Sequence, residues 1–220
     1  MTVDIPIRFA IMAAFAIVPL TAGCDSAAPP DGTERITASR PGAISVVENF
    51  ENAEAWETID GTWTAEKSGD RAILKQAATD RKFPVTLLRE PAFSDMDVSV
   101  EFRPVSGEVD ASGGIVFRAR DGANYYIVRA NSLEDNFRLY ATVAGSRDQI
   151  ASTKIEAPQM GTWHTLRVVA VGDHIQAYLN GELLIDHHDN RFESGRVGLW
   201  TKADAVTEFS ELKVTGVADN

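Results

Sequence analysis

Arginines and aromatic rings recur in this chain at positions that share a parity. Where apolar residues alternate along a strand they mark the core side, and the residues between them project from the opposite face. Opposite Ile115, Phe117 and Ala119 stand Arg118 and Arg120. Opposite Val128 and Ala130 stand Tyr125, Arg129 and Asn131, and opposite Leu139 and Ala141 stand Arg138 and Tyr140. Trp200 and Lys202 lie opposite Val197 and Leu199, with Asp204 continuing the same parity. On neighbouring strands of one sheet these residues form a surface of cations and rings. Guanidinium and amide groups fork onto vicinal hydroxyls or carboxylates, and Tyr and Trp rings cover the apolar faces of sugar rings. The ligand such a surface suits is a glycan or an acidic sugar. The same residue types also make cross-strand Arg and Tyr pairs that brace a solvent face and bind nothing, so residue type alone leaves both uses open.

Groups for covalent chemistry are scarce. The chain has no Gly-x-Ser-x-Gly elbow, no phosphate-binding loop and no cysteine besides Cys24. His187-His188-Asp189 is the densest run of possible metal ligands, but adjacent residues on a strand point to opposite faces, so no metal site is assigned. Glu134-Asp135-Asn136 falls between two of the runs above, where it serves either as a tight turn or as a source of polar contacts.

The elements that must hold these residues are strands. From Ile44 onward apolar residues recur with period two, and Gly, Asn and Asp clusters interrupt them roughly every eight to twelve residues. Asp121-Gly122-Ala123-Asn124, Ala144-Gly145-Ser146 and Val171-Gly172-Asp173 separate successive runs. Asn180-Gly181 stands between two more, as a type I′ hairpin turn requires. Asn52 to Trp56 allows one helical turn. So many short antiparallel strands close into two packed sheets with the alternating apolar residues between them, an all-β fold. With 44% hydrophobic and 24% charged residues, the 220-residue chain is one globular domain or at most two small ones. A net charge of -11 repels phosphate backbones and argues against nucleic acid as a partner.

The N-terminus reads as an address. Phe9 to Gly23 are fifteen uncharged, mostly apolar residues behind Arg8, the length of a signal-peptide core and short for a bilayer span. They end in Leu20-Thr21-Ala22-Gly23-Cys24, which resembles the lipobox of bacterial lipoproteins. That resemblance implies removal of residues 1–23, lipidation of Cys24 and a membrane contact through acyl chains alone. Asp25 resembles the signal that retains a lipoprotein at the periplasmic face of the inner membrane, if the cell is Gram-negative. Residues 24–43, with three prolines, two glycines and no apolar periodicity in Asp25 to Ala43, have the composition of a flexible spacer. The expected organisation is a β-sandwich domain over 44–216 and a short tail over 217–220.

Trp163-His164-Thr165-Leu166-Arg167-Val168, the stretch from Gly172 to Gly181, and Gly195-Arg196-Val197-Gly198-Leu199-Trp200 together resemble the concanavalin A-like and laminin G-like jelly rolls. Within that superfamily Gly113-Gly114-Ile115-Val116-Phe117-Arg118 and Asn124-Tyr125-Tyr126-Ile127-Val128-Arg129 are most similar to bacterial 3-keto-disaccharide hydrolases. The resemblance implies an antiparallel two-sheet jelly roll, of the concanavalin A-like lectin and glucanase type, that meets a saccharide or an oxidised glycoside. Retaining glucanases of this fold carry Glu-x-Asp-x-x-Glu on one strand, and here Glu108-Val109-Asp110 is followed by Gly113 where the last glutamate belongs. A 3-keto group needs no carboxylate pair, because it acidifies the neighbouring hydrogen and one base then suffices for elimination. Asp204 and Glu134 are the candidate bases, beside Lys202 or Arg129 as enolate stabilisers. Related jelly rolls bring calcium into view, yet no Asp-x-Asp-x-Asp loop supports it and no cofactor is expected. Three uses follow from the sequence: a lipid-anchored carbohydrate-binding module, a hydrolase or lyase acting on 3-keto glycosides, and an envelope scaffold for another protein.

Overall fold

The computed structural model describes residues 34–219. The signal segment, Cys24 and the first part of the expected spacer lie outside them. The strands are β1 (Ile44–Glu48), β2 (Trp56–Asp60), β3 (Trp63–Ser68), β4 (Arg71–Gln76), β5 (Val85–Leu88), β6 (Ala92–Ser106), β7 (Ser112–Asp121) and β8 (Asn124–Asn131). They continue with β9 (Asn136–Val143), β10 (Ser146–Lys154), β11 (His164–Val171), β12 (His174–Leu179), β13 (Glu182–His188), β14 (Arg196–Trp200) and β15 (Val206–Asp219). The one helical turn among the described residues, Ala53–Ala55, is capped by Asn52, whose Oδ1 accepts from Glu54 N at 3.2 Å.

Two antiparallel sheets form the sandwich. The first runs β13-β12-β11-β6-β15-β4-β3, with β1 also paired to β15; the second runs β10-β9-β8-β7-β14-β5-β2. Between them lie the residues whose alternation defined the strands. Val98, Val100 and Phe102 meet Ile115 and Phe117, Tyr126 and Val128, Leu139, Leu166 and Val168 in one buried cluster. Gly113 allows a close approach between the sheets: a Cβ there would stand 2.4 Å from the Phe102 ring. Asn180 and Gly181 both take positive φ, 50° and 84°, which is the I′ geometry their types demand.

The expected boundaries shift at both ends. Glu34 to Ala38, expected within the spacer, lie on the outer face of the first sheet. Gln176 Nε2 donates to Glu34 O (2.7 Å), Gln176 Oε1 accepts from Ile36 N (3.1 Å), and Ala38 is fully buried with Val169 and Tyr178. At the other end β15 continues through Asp219, paired with Ala92, so most of the expected tail is strand.

Candidate functional site

The outer face of the second sheet collects most of the predicted residues, and backbone register fixes the map. Arg138 on β9 pairs with Arg129 on β8, Arg129 with Gly114 on β7, Gly114 with Trp200 on β14, and Trp200 with Val85 on β5. One step along stand Tyr140, Ile127, Val116, Gly198 and Leu87. A third row holds Arg147 on β10, Thr142 and Tyr125. At the other end Lys202 Nζ donates to Asp110 Oδ2 (3.0 Å), which also accepts from Asn131 Nδ2 (3.0 Å). Tyr125, Arg129, Asn131, Arg138, Tyr140, Trp200 and Lys202 therefore share one surface, as their parity requires.

That surface is walled in. Phe83 stacks on Trp200 with ring centroids 5.8 Å apart, and Trp200 has no exposed area. Arg147 lies at the centre of the rings, its guanidinium carbon 4.3 Å from the Tyr140 centroid, 4.6 Å from Phe83 and 5.3 Å from Trp200. Such cation–π contacts offset part of a cation's lost hydration, but they supply no acceptors. Arg129 is 1% exposed; its Nη2 donates to Glu134 Oε2 (2.8 Å), while its Nε and Nη1 are buried with no protein partner. Arg138 Nη1 donates to the Tyr140 hydroxyl (3.2 Å), and its Nε has no partner; nor does Arg147 Nη1. Four guanidinium nitrogens in one cluster thus lack a protein acceptor.

The electrostatics follow from that crowding. Burial pushes the Arg147 guanidinium's pKa down, opposed by Tyr140 and reinforced by repulsion from Arg129. Burial would raise the Tyr140 phenol, but hydrogen bonds from Arg138 and Arg129 and the charge of Arg147 leave it lowered. Burial raises Tyr125, whose hydroxyl lies close to Thr142 and Trp200 without a well-aligned bond. An arginine offers only donors, so what completes this cluster must bring oxygen acceptors.

The two candidate bases are braces. Burial would raise the Glu134 carboxyl, yet Arg129, Asn136 and Arg138 hold it down to about 2. Asp204 accepts from three backbone amides, Glu108 N (2.7 Å), Asp110 N (2.9 Å) and Val109 N (3.1 Å), and these bonds lower its pKa. A carboxylate so occupied is a weak proton acceptor. The Asn131 Oδ1 is occupied as well, accepting from Ala111 N (3.1 Å) and Leu133 N (3.0 Å).

Arg118 and Arg120 leave the face altogether. Arg118 takes φ 49° at an irregularity of β7 between Phe117 and Asp121, which inverts the parity: Ala119 joins the outer cluster with Trp200 and Tyr125. Arg118 turns inward, 1% exposed, and donates to Ser94 O (2.9 and 3.0 Å) and Phe192 O (3.3 Å). Arg120 lies over the Phe192 ring at 5.4 Å.

A family model described as a 3-keto-alpha-glucoside-1,2-lyase-like domain matches residues 43–215. The chain belongs to that family. It is also 28% identical over 164 residues to levanase of Bacillus subtilis (strain 168), covering 73% of this chain and 23% of the relative, under a quarter of that protein's length. Among solved structures, the carbohydrate-binding module CBM66 of Bacillus subtilis superposes with TM-score 0.65 at 25% identity, over 72% of this chain and 94% of the module. Bacillus licheniformis β-glucanase, at 11% identity, TM-score 0.55, and 78% and 97% coverage, shares the fold alone.

In this 3-keto-alpha-glucoside-1,2-lyase-like domain, Arg147, Asp110, Thr142 and Phe83 also belong to the face, though the strand parities read in the sequence do not assign them to it. Arg147 follows the Ala144-Gly145 turn, and extending the alternation of β9 across that hairpin places it opposite Thr142. Asp110 and Phe83 come from loops, where no period applies. Asp110 is fully buried and holds Lys202 and Asn131 in place. A depression of about 700 Å³ lies elsewhere, lined by Lys154 to Gln159, His164 and Asn180. Its histidine is bonded at both nitrogens, to Gln159 O (3.0 Å) and Asn180 Nδ2 (3.2 Å), and no buried donor without a partner lines it.

Proposed function

We propose that this domain is a carbohydrate-binding module whose ligand sits on the outer face of the second sheet. The observation that carries the proposal is the set of guanidinium nitrogens of Arg129, Arg138 and Arg147 without protein acceptors, beside Tyr140 and Trp200. Sugar hydroxyls, a ring ketone or a carboxylate supply the acceptors these nitrogens lack. The likeness to CBM66, at 25% identity over nearly all of that module, supports the same reading. Calorimetric titration with a panel containing levan, β-glucan oligosaccharides and 3-keto glycosides tests it. Saturable one-site binding to at least one saccharide is expected, and no heat from any of them refutes the module.

A lyase is the second reading, favoured by the lowered pKa of Tyr140. In such a reaction the Tyr140 phenolate takes the hydrogen between the ketone and the anomeric carbon. The bond to the aglycone oxygen breaks, a carbon–carbon double bond forms in the ring, and nearby guanidinium groups stabilise the enolate. Incubation with 3-keto glycosides distinguishes the readings: an unsaturated product that disappears with Tyr140→Phe supports the lyase, and intact substrate retires it. The tether belongs to this proposal too. Cys24 is its lipidation site, and Asp25 directs retention at the periplasmic face of the inner membrane in a Gram-negative cell. Cys24→Ser is expected to release the domain from the membrane fraction; continued sedimentation with membranes refutes the anchor.

A further inference from the structure

The first sheet carries a second constellation on its own outer face, unrelated to the arginine cluster. β12 and β13 pair so that His174 stands opposite His188 and Gln176 opposite Asp186. Their side chains project to one side: the imidazole rings of His174 and His188 stack at 4.3 Å, and Asp186 Oδ1 lies 2.7 Å from His174 Nε2. One ligand atom from each of His174, Asp186 and His188 falls within 4.8 Å of the other two. His187 projects from the other side of its strand, so the partner for His188 comes from across the hairpin and not from its neighbour in sequence.

We propose that His174, Asp186 and His188 bind one divalent transition metal of the zinc class. Two imidazoles and one carboxylate are a recurring ligand set for zinc, and imidazole also suits nickel and copper. In a tetrahedron with bonds of ~2.0–2.1 Å the ligand atoms stand ~3.3 Å apart, so the His174 and Asp186 pair opens by about half an ångström, and the exposed His188 ring turns out of its stack on His174 until both ring planes meet at the ion. The metal then replaces the hydrogen-bonded proton, and His174 carries its proton on Nδ1. The surrounding groups are those that orient ligands. Asp173 Oδ1 lies 3.2 Å from His188 Nδ1, which leaves Nε2 of the neutral ring with its lone pair. Gln176 Nε2 donates to Asp186 Oδ2 at 2.8 Å, which leaves Oδ1 facing His174. The side chains of His174, Asp186 and His188 are 23%, 34% and 62% exposed, which leaves a path for the ion and room for a water as fourth ligand. Gln176 also holds residues 34–36, so the metal site and the docked N-terminal segment share one fastener.

Titrating zinc into the full chain carrying Cys24→Ser, so that no thiol competes, tests the proposal. One ion per chain is expected to bind, with cobalt developing the intense visible absorption of a four-coordinate complex. His188→Ala is expected to weaken zinc at least tenfold, while His187→Ala leaves it unchanged; His188 is exposed and His187 partly so, and a melting curve of each variant verifies that it folds. The absence of saturable binding overturns the proposal. So does a His188→Ala variant that binds as tightly as its parent, or a loss in His187→Ala as large as in His188→Ala. Binding of saccharides to the other sheet is expected to be the same with and without zinc, which keeps the two claims separable.

Discussion

The outer faces of the two sheets use the same residue types and differ in how each arginine is paired. On the first sheet every cross-strand arginine has a carboxylate of its own. Arg167 grips Asp97 with two bonds of 2.8 and 2.7 Å, Arg103 is bonded to Glu208, and Arg71 to Glu101. Rings sit against these as well, Trp163 beside Arg71 and Arg103 and Tyr178 beside Arg167. On the second sheet the ion pairs of Arg129 and Arg138 both fall on one carboxylate, Glu134, which does not reach Arg147, while Asp110 on the same face is taken by Lys202. Arginine and tyrosine on a sheet are therefore no signature of binding. A surplus of donors, enclosed by rings and loops, is what separates a face that holds itself together from one that calls for a ligand.

Substitutions on the two faces break or sharpen this contrast. The largest effect is expected from Trp200→Ala. Despite facing outward, Trp200 is packed as a core residue against Phe83, and its loss costs about 3–5 kcal/mol, or roughly 10 °C in melting temperature by calorimetry. A variant that melts like its parent shows the ring to be a free platform. Next is Arg147→Ala, which removes donors without stranding a counter-charge. Saccharide affinity is expected to fall about 10- to 100-fold with the melting temperature nearly unchanged. Arg167→Ala on the first sheet is expected to leave that affinity alone.

Acid sharpens the comparison further. Glu134 has its pKa lowered to about 2 from 4.5, so its stabilising contribution is complete above about 4.5 and is lost as the pH falls towards 2. After screening it amounts to about 1–2 kcal/mol, and Glu134→Gln is expected to flatten that part of the stability profile measured by urea unfolding. The smallest effect belongs to Asp204→Asn, which weakens the caps on Glu108, Val109 and Asp110 for about 1 kcal/mol, with no change at the arginine-rich face beyond a looser Lys202.

Much of the face was legible because β8 and β9 are regular. Tyr125, Arg129 and Asn131, and Arg138 and Tyr140, keep the parity that their apolar neighbours announce. That rule fails wherever the backbone departs from the pleat. Nothing in Phe117-Arg118-Ala119 signals the positive φ that turns Arg118 inward, since the inversion is set by the contact with Ser94 and Phe192 from elements far away in the chain. Asp110 and Phe83 act from loops that carry no period. The histidines illustrate the same limit. His188 and His174 are brought together by a hairpin register, while the run His187-His188-Asp189 that draws the eye in the sequence divides between two sides of a strand. Local pattern reads the direction of a side chain well. It does not read which partner waits there.

The most direct test is a paired calorimetric titration of the parent chain, Arg147→Ala and Arg167→Ala with one saccharide that the parent binds. Affinity lost in Arg147→Ala and preserved in Arg167→Ala is the predicted result. Equal affinity in all three, or loss confined to Arg167→Ala, contradicts a ligand site on the arginine-rich face of the second sheet.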